Sequence, residues 1–351
     1  MTHPLSRLFT VFLTATLTAL LFTSCEKEET DNNTGLPEIE AGEGLFILNE
    51  GNYGWSNSSL SYYDKSNKEI HHNLYQKVNG KHPGDVLQSA ILNENELWLI
   101  VNNSGKVAVT DPLSLEQTHV ISGLTSPRYM TAASNATGYI TDLYAGKVHV
   151  VDLQQKTIEG SIEVDGWTEE IMIFGDYAVT TGVESGQLYA IDTETNELAD
   201  SLEVPPGPVS MTKDHQGHLW VLAGGDPLLK TQPVLYQVDR MEFRIKGEYP
   251  LPGKEITYSR LVSCPDGKTL YFLGGDVLRM DANPEAASPE IFIKADGRIF
   301  YGLAVDPDNG DVYVSDAVDY VQRGQMLRYD PNGQLIDSQD TGIIPGDFIF
   351  L

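Results

Sequence analysis

A short apolar strand that ends on an aspartate recurs seven times in this chain, and the recurrence constrains the fold more than any other feature. The copies are "LSYYD" to Asp64, "VAVTD" to Asp111, "VHVVD" to Asp152, "LYAID" to Asp192, "LYQVD" to Asp239, "VLRMD" to Asp281 and "MLRYD" to Asp330, spaced 40 to 49 residues apart. Each follows a second strand rich in β-branched and aromatic residues, such as "LFILN", "LWLIV", "LWVLA" or "VYVSD". Between the strand pairs, "NENE", "SNATG", "DHQGH", "PDGK" and "DPDNGD" read as tight reversals. Convincing helical periodicity is absent after residue 24. An antiparallel unit repeated about every 40 residues predicts a β-propeller, and seven copies predict seven blades.

A four-stranded blade also needs an innermost strand. Six segments supply one ahead of their second strands, at residues 85–90, 128–132, 169–173, 209–212, 260–263 and 301–305. The seventh is the C-terminal "PGDFIFL", which has the same form as "SPRYMTA" and "GPVSMTK". The expectation is that it pairs beside residues 45–49, closing the first blade with the two ends of residues 44–351 and leaving no exposed sheet edge.

Ahead of the repeats, residues 1–24 read as a secretion signal: a short start with Arg7, an apolar run from Leu8 to Phe22, then Thr23 and Ser24 before Cys25. The small residues before that cysteine are similar to a bacterial lipobox, which marks Cys25 for lipidation. Residues 25–43 are acidic and polar and read as a flexible tether. The cluster Glu26, Glu28 and Glu29 resembles the export signal that sends Bacteroidetes lipoproteins to the outside of the outer membrane. The expected location is therefore the outer membrane, lipid-anchored and facing the exterior. With Cys25 lipidated, Cys264 is the sole remaining cysteine, so no disulfide framework is available. A formal charge of −27 argues against nucleic acid as a ligand and against any membrane contact beyond the anchor.

Strand order assigns loops to faces. The start of each innermost strand lies at the same end as the loop between the second and third strands. That end gathers Tyr53, Trp55, Tyr144 and Tyr320 from loops, and Arg128, Tyr129, Trp167, Tyr258, Arg260 and Tyr301 from the strand starts. Large rigid side chains with a polar handle concentrated at one mouth mark a binding surface. No nucleophile motif, phosphate loop or Cys/His metal spacing is present, so the expectation is a chain that is not an enzyme and has neither a catalytic residue nor a cofactor. Asp85, Glu169, Glu170 and Asp347 keep a metal-dependent lactonase or lyase as an alternative, and "DPDNGD" at residues 306–311 reads as a plain turn.

The opening "FILNEGNYGWSNSSLSYYD", the strand-aspartate units and the closing "IPGDFIF" resemble the lipoprotein propellers of Bacteroidetes related to the YVTN-type, YncE-like group. The resemblance covers the whole mature chain. It implies capture of a corrinoid of the vitamin B12 type on one propeller face, as cargo rather than cofactor, and delivery to a TonB-dependent outer-membrane transporter. A corrinoid is a broad disc edged with amides, which Asn49, Asn52, Asn102, Asn103 and Ser104 could meet beside the aromatics. The rival is an interaction module for a glycan, peptide or partner protein.

Overall fold

The computed structural model describes residues 36–226, 228–253, 257–283 and 288–351. The signal sequence, Cys25 and the tether up to residue 35 lie outside the described residues. Pro37–Leu351 folds as seven four-stranded antiparallel sheets, a seven-bladed β-propeller. Blades 2 to 7 each take four consecutive strands, innermost first. Their innermost strands are Leu87–Asn93, Pro127–Ala132, Thr168–Phe174, Pro208–Lys213, Ser259–Ser263 and Phe300–Val305.

Blade 1 is closed by the two ends of the domain. Its innermost strand, Pro345–Phe350, pairs antiparallel with Gly44–Asn49, setting Ile47 opposite Phe348 and Leu45 opposite Phe350. The N-terminal strand is buried at every residue because its two sides face different blades. Leu45 and Ile47 pack with Tyr313 and Met326 of blade 7, while Phe46 and Leu48 pack with Leu97 and Leu99 of blade 2. A slip of one residue would exchange the two sets, so packing fixes the register. The same logic runs around the ring, where seven apolar clusters each fill the wedge between two neighbouring blades. Across the closing wedge, Tyr63 donates to Asp337 at 2.7 Å and Lys65 pairs with Asp306 at 3.2 Å, while Arg328 pairs with Asp311 within blade 7 at 2.7 Å.

The repeated aspartates have a common physical role. In all seven, a carboxylate oxygen accepts the backbone N–H two residues further on, at 2.7 to 3.0 Å, as each third strand turns into the outermost one. This is the turn chemistry for which Asp is suited. The segment 306–311 is likewise a turn, with Asp308 N–H donating to the Asp306 carboxylate at 3.0 Å. One feature departs from expectation. A six-residue helix, Leu74–Asn79, joins blades 1 and 2, buries Leu74 and Tyr75, and ends on Gly80 in the left-handed region. It is too short to display an apolar period in sequence.

Candidate functional site

At one end of the ring every innermost strand loses register with its neighbour. The shifts fall between Leu87 and Ser89, Pro127 and Met130, Thr168 and Ile171, Pro208 and Ser210, Ser259 and Leu261, and Phe300 and Leu303. In blade 1, Asp347 and Pro345 pair with consecutive residues, which leaves out Gly346. The residues dropped from pairing are Gln88, Arg128, Tyr129, Glu169, Glu170, Val209, Arg260, Tyr301, Gly302 and Gly346. Bulges re-aim side chains, and five of the seven here release polar side chains, the exceptions being Val209 in blade 5 and Gly346 in blade 1. Arg260 itself has φ 49, a left-handed conformation that a non-glycine residue adopts only when its surroundings hold it there.

These groups form a bonded cluster across blades. Arg128 of blade 3 donates to both carboxylate oxygens of Glu169 in blade 4, at 2.7 and 2.5 Å, and also to the side-chain oxygen of Gln88 in blade 2. Trp167 Nε1 donates to the same Glu169 at 2.6 Å. Arg260 of blade 6 crosses the axis to donate to the Tyr129 hydroxyl in blade 3, and to the Gly346 carbonyl in blade 1 at 3.1 Å. Tyr301 donates to Glu50 at 2.9 Å. Glu50 can lie there because Gly346 has no Cβ; one would stand 2.7 Å from the Glu50 carboxylate. Glu170 accepts from Ser210 Oγ at 2.8 Å and from Met211 N–H at 2.7 Å.

The cluster carries four carboxyls, Glu50, Glu169, Glu170 and Asp347, against two guanidiniums. Burial raises Glu170 to about 7 against the opposing pull of Arg260, and raises Glu50 to about 6 against the Tyr301 hydrogen bond. Burial also raises Asp347. Two carboxyls therefore exchange protons near neutral pH, a property that clusters at functional sites.

Two adjoining cavities open on this cluster. One, of about 260 Å³, is lined by Glu50, Tyr53, Gln88, Asn102, Arg128 and Tyr144 among others. The second, of about 220 Å³, is lined by Tyr129, Trp167, Glu169, Glu170 and Arg260 among others, and shares Gln88, Arg128 and Tyr301 with the first. A larger off-axis hollow of about 770 Å³ lies between blades 4 and 5, beside Pro205, Pro206 and Leu228. The axial pair opens on the bonded cluster and is the better candidate site.

Above the cavities stand Tyr53, Trp55 and Tyr144, 75, 76 and 76 % exposed. Tyr320, 43 % exposed, meets Tyr301 edge-on at 5.7 Å. The loop bearing Tyr53 and Trp55 is braced by Gly54 N–H donating to the Asp85 carboxylate at 2.9 Å and by Asn52 Nδ2 donating to the Tyr320 carbonyl at 3.2 Å. Asn103 donates to the same Asp85 at 2.7 Å, and Asn102 to the Pro127 carbonyl at 3.0 Å.

Of the residues expected at the mouth, two are corrected. Asn49 is fully buried, donates to Ser61 Oγ at 3.1 Å and accepts from Gly342 N–H at 2.9 Å, so it ties blade 1 to blade 7. Tyr258 is 1 % exposed, packs on Phe272 and donates to the Pro252 carbonyl at 2.6 Å. Both belong to the framework. The four acids considered for an axial metal do not converge: Asp85 holds the rim loop, Glu169 holds Arg128, Glu170 holds Ser210 and Met211, and Asp347 accepts from its neighbour Phe348. Among the described residues no group of three or more His, Cys, Asp or Glu is placed to hold a metal ion. Sequence reasoning passed over Glu50 and Gln88. For Gln88 the available signal was its place as second residue of an innermost strand, the offset of Arg128, Glu169 and Arg260; Glu50 follows the second strand of blade 1 and carried no such signal.

No curated protein sequence matches the chain. The solved structures that share its fold include three bacterial propellers. A quinonprotein alcohol dehydrogenase-like protein from Bacteroides thetaiotaomicron has 13% identity and a TM-score of 0.67, with 88% of this chain and 78% of that one covered. A putative 6-phosphogluconolactonase from Bacteroides fragilis has 13% identity and a TM-score of 0.67, covering 88% and 98%. A periplasmic gluconolactonase from Pseudomonas aeruginosa has 14% identity and a TM-score of 0.67, covering 87% and 99%. Such identities show the fold alone. They nevertheless overturn the expectation that this chain is not an enzyme, because propellers described as lactonases share its architecture over nearly their whole length. Residues 43–341 match one family throughout, and the chain belongs to that family, Domain of unknown function (DUF5074).

Proposed function

We propose that the axial mouth is a small-molecule capture site and that its ligand is a corrinoid. The observation that carries this reading is the asymmetry of the two faces. Tyr53, Trp55, Tyr144 and Tyr320 all stand at the mouth, while the exposed large side chains at the opposite turns, such as Leu113, Leu198, Met241 and Leu335, are aliphatic or thioether. Exposed aromatics around a polar floor suit a broad, nearly neutral disc edged with hydrogen-bonding amides. In this reading Cys25 carries lipid, the protein faces the cell exterior, and the cargo passes to a TonB-dependent transporter.

Calorimetric titration of the soluble propeller with cyanocobalamin, run beside a glycan panel, tests the ligand. Binding is expected, with Trp55→Ala weakening it by about 1–3 kcal/mol if Trp55 is an anchor. Absence of heat with any corrinoid, together with a response to a sugar, would transfer the site to the rival class.

A second reading has its own observation. Glu170 and Glu50 are poised near neutrality beside Arg260 and Tyr301, an arrangement suited to general acid–base work on a carbonyl. In this reading the mouth hydrolyses a lactone, as the described activities of two neighbours suggest. Hydrolysis of gluconolactone above the spontaneous rate, lost in Glu170→Gln, would support it; a rate equal to buffer would end it.

A further inference from the structure

The floor of the mouth has hydrogen-bonding capacity that the fold does not use. Arg260 has five N–H donors. One meets the Tyr129 hydroxyl and one the Gly346 carbonyl, and no acceptor among the described residues takes the others. The Tyr129 oxygen accepts from Arg260, and no acceptor among the described residues takes its O–H, which leaves that O–H to donate into the cavity. Arg260 also lies 5.8 Å from the Tyr129 ring centroid, so the two act as a paired unit. Across the same 220 Å³ cavity lies Glu170. Its oxygens each accept one framework bond and each retain a second lone pair.

Charge then narrows the guest. An anion in this cavity would meet Arg260 but also Glu170 and the Glu169 carboxylate that already occupies Arg128, and an ammonium would meet the unfilled donors of Arg260 and Tyr129. A neutral group offering one strong acceptor and an adjacent donor satisfies both sides. The volume admits a few heavy atoms, since one water occupies about 30 Å³ of liquid.

We propose that the cavity bounded by Tyr129, Glu170 and Arg260 is a carboxamide subsite, in which Arg260 and Tyr129 donate to the carbonyl oxygen and Glu170 accepts from the amide N–H. This deepens the corrinoid reading and rests on it for the identity of the whole ligand, since a corrinoid's rim consists of such amide arms. The subsite itself is independent of that identity.

Two titrations on the intact propeller separate the two statements. In the first, nicotinamide, nicotinate and methyl nicotinate are compared by ligand-observed NMR. The amide is expected to bind, the carboxylate and ester about tenfold more weakly or not at all, and Tyr129→Phe and Arg260→Lys to weaken the amide by about tenfold, the scale of one hydrogen bond. Unchanged melting of Tyr129→Phe guards against misfolding. Equal binding of amide and acid, or an unaffected Tyr129→Phe, overturns the subsite. In the second, cyanocobalamin is compared with derivatives in which one rim amide is hydrolysed to the acid. One regioisomer is expected to lose at least about tenfold, and Tyr129→Phe to erase that difference. If wild type ignores cyanocobalamin yet prefers nicotinamide, the corrinoid reading falls and the subsite stands. If cyanocobalamin binds while every mono-acid and Tyr129→Phe behave like the parent, the subsite falls and the corrinoid reading stands.

Discussion

The two ends of each blade solve the same problem, how to stop a strand, in opposite ways. At the far end the chain reverses through turns whose exposed N–H groups are met by a local aspartate, as when Asp152 accepts from both Gln154 and Gln155 at 2.8 Å. Polar groups there are satisfied within a few residues. At the mouth the innermost strands skip residues in their pairing, and the skipped polar side chains bond to residues of other blades, as Arg128 does to Glu169, 41 positions away. One end uses the repeat and the other breaks it. Local rules fail where a site is built, and the charge at the mouth is what the broken pairing makes possible.

The comparison can be broken at its foundation by reopening the ring. Removing residues 348–351 takes away half of the innermost strand of blade 1, including Phe348, which is 5 % exposed and packs against Tyr313. Loss of one buried Phe side chain costs about 3–5 kcal/mol, so the deletion should consume much of a typical stability of about 5–15 kcal/mol and collapse both ends together. A truncated protein that melts with the parent would contradict closure by this strand.

A smaller effect separates the ends by pH. Glu170 and Glu50 hold protons more tightly folded than unfolded, with values of about 7 and about 6 against an ordinary 4.5. Stability from these groups is therefore complete below pH 4.5 and declines as pH rises through 6 and 7, by a few kcal/mol at about 1.4 per unit. Glu170→Gln should match wild type in thermal melts at pH 5 and exceed it at pH 8. Equal melting at both values would mean that the carboxyl is not strained by burial.

The smallest effect belongs to the far end. Asp152→Ala should cost about 1 kcal/mol through the lost turn bonds, Asp152→Asn should restore most of it, and neither should alter ligand titration. A change in binding from either would show that the far turns are coupled to the mouth.

The same contrast explains what the sequence could and could not tell. The blades were legible because each third strand ends on an aspartate whose function is local, and closure was legible because "PGDFIFL" matches the other innermost strands in form. The mouth aromatics followed from strand order alone. Most members of the axial cluster were legible at the mouth, but their bonding to one another was not, since partners such as Arg260 and Tyr129 are 131 residues apart. Asn49 and Tyr258 sit in the right segments, but their side chains turn into the framework, an orientation decided by partners such as Gly342 and Pro252 that no local pattern marks. The helix at residues 74–79 was missed because six residues cannot display a period.

The central claim is that ligand meets the mouth and only the mouth, and hydrogen–deuterium exchange with and without saturating cyanocobalamin tests it most directly. Slower exchange is expected at the strand starts around Gln88, Arg128, Glu170 and Arg260 and in the loop around Trp55, with no change at the far turns after Asp111, Asp152 and Asp192. Protection confined to those far turns, or spread equally over both ends, would contradict it.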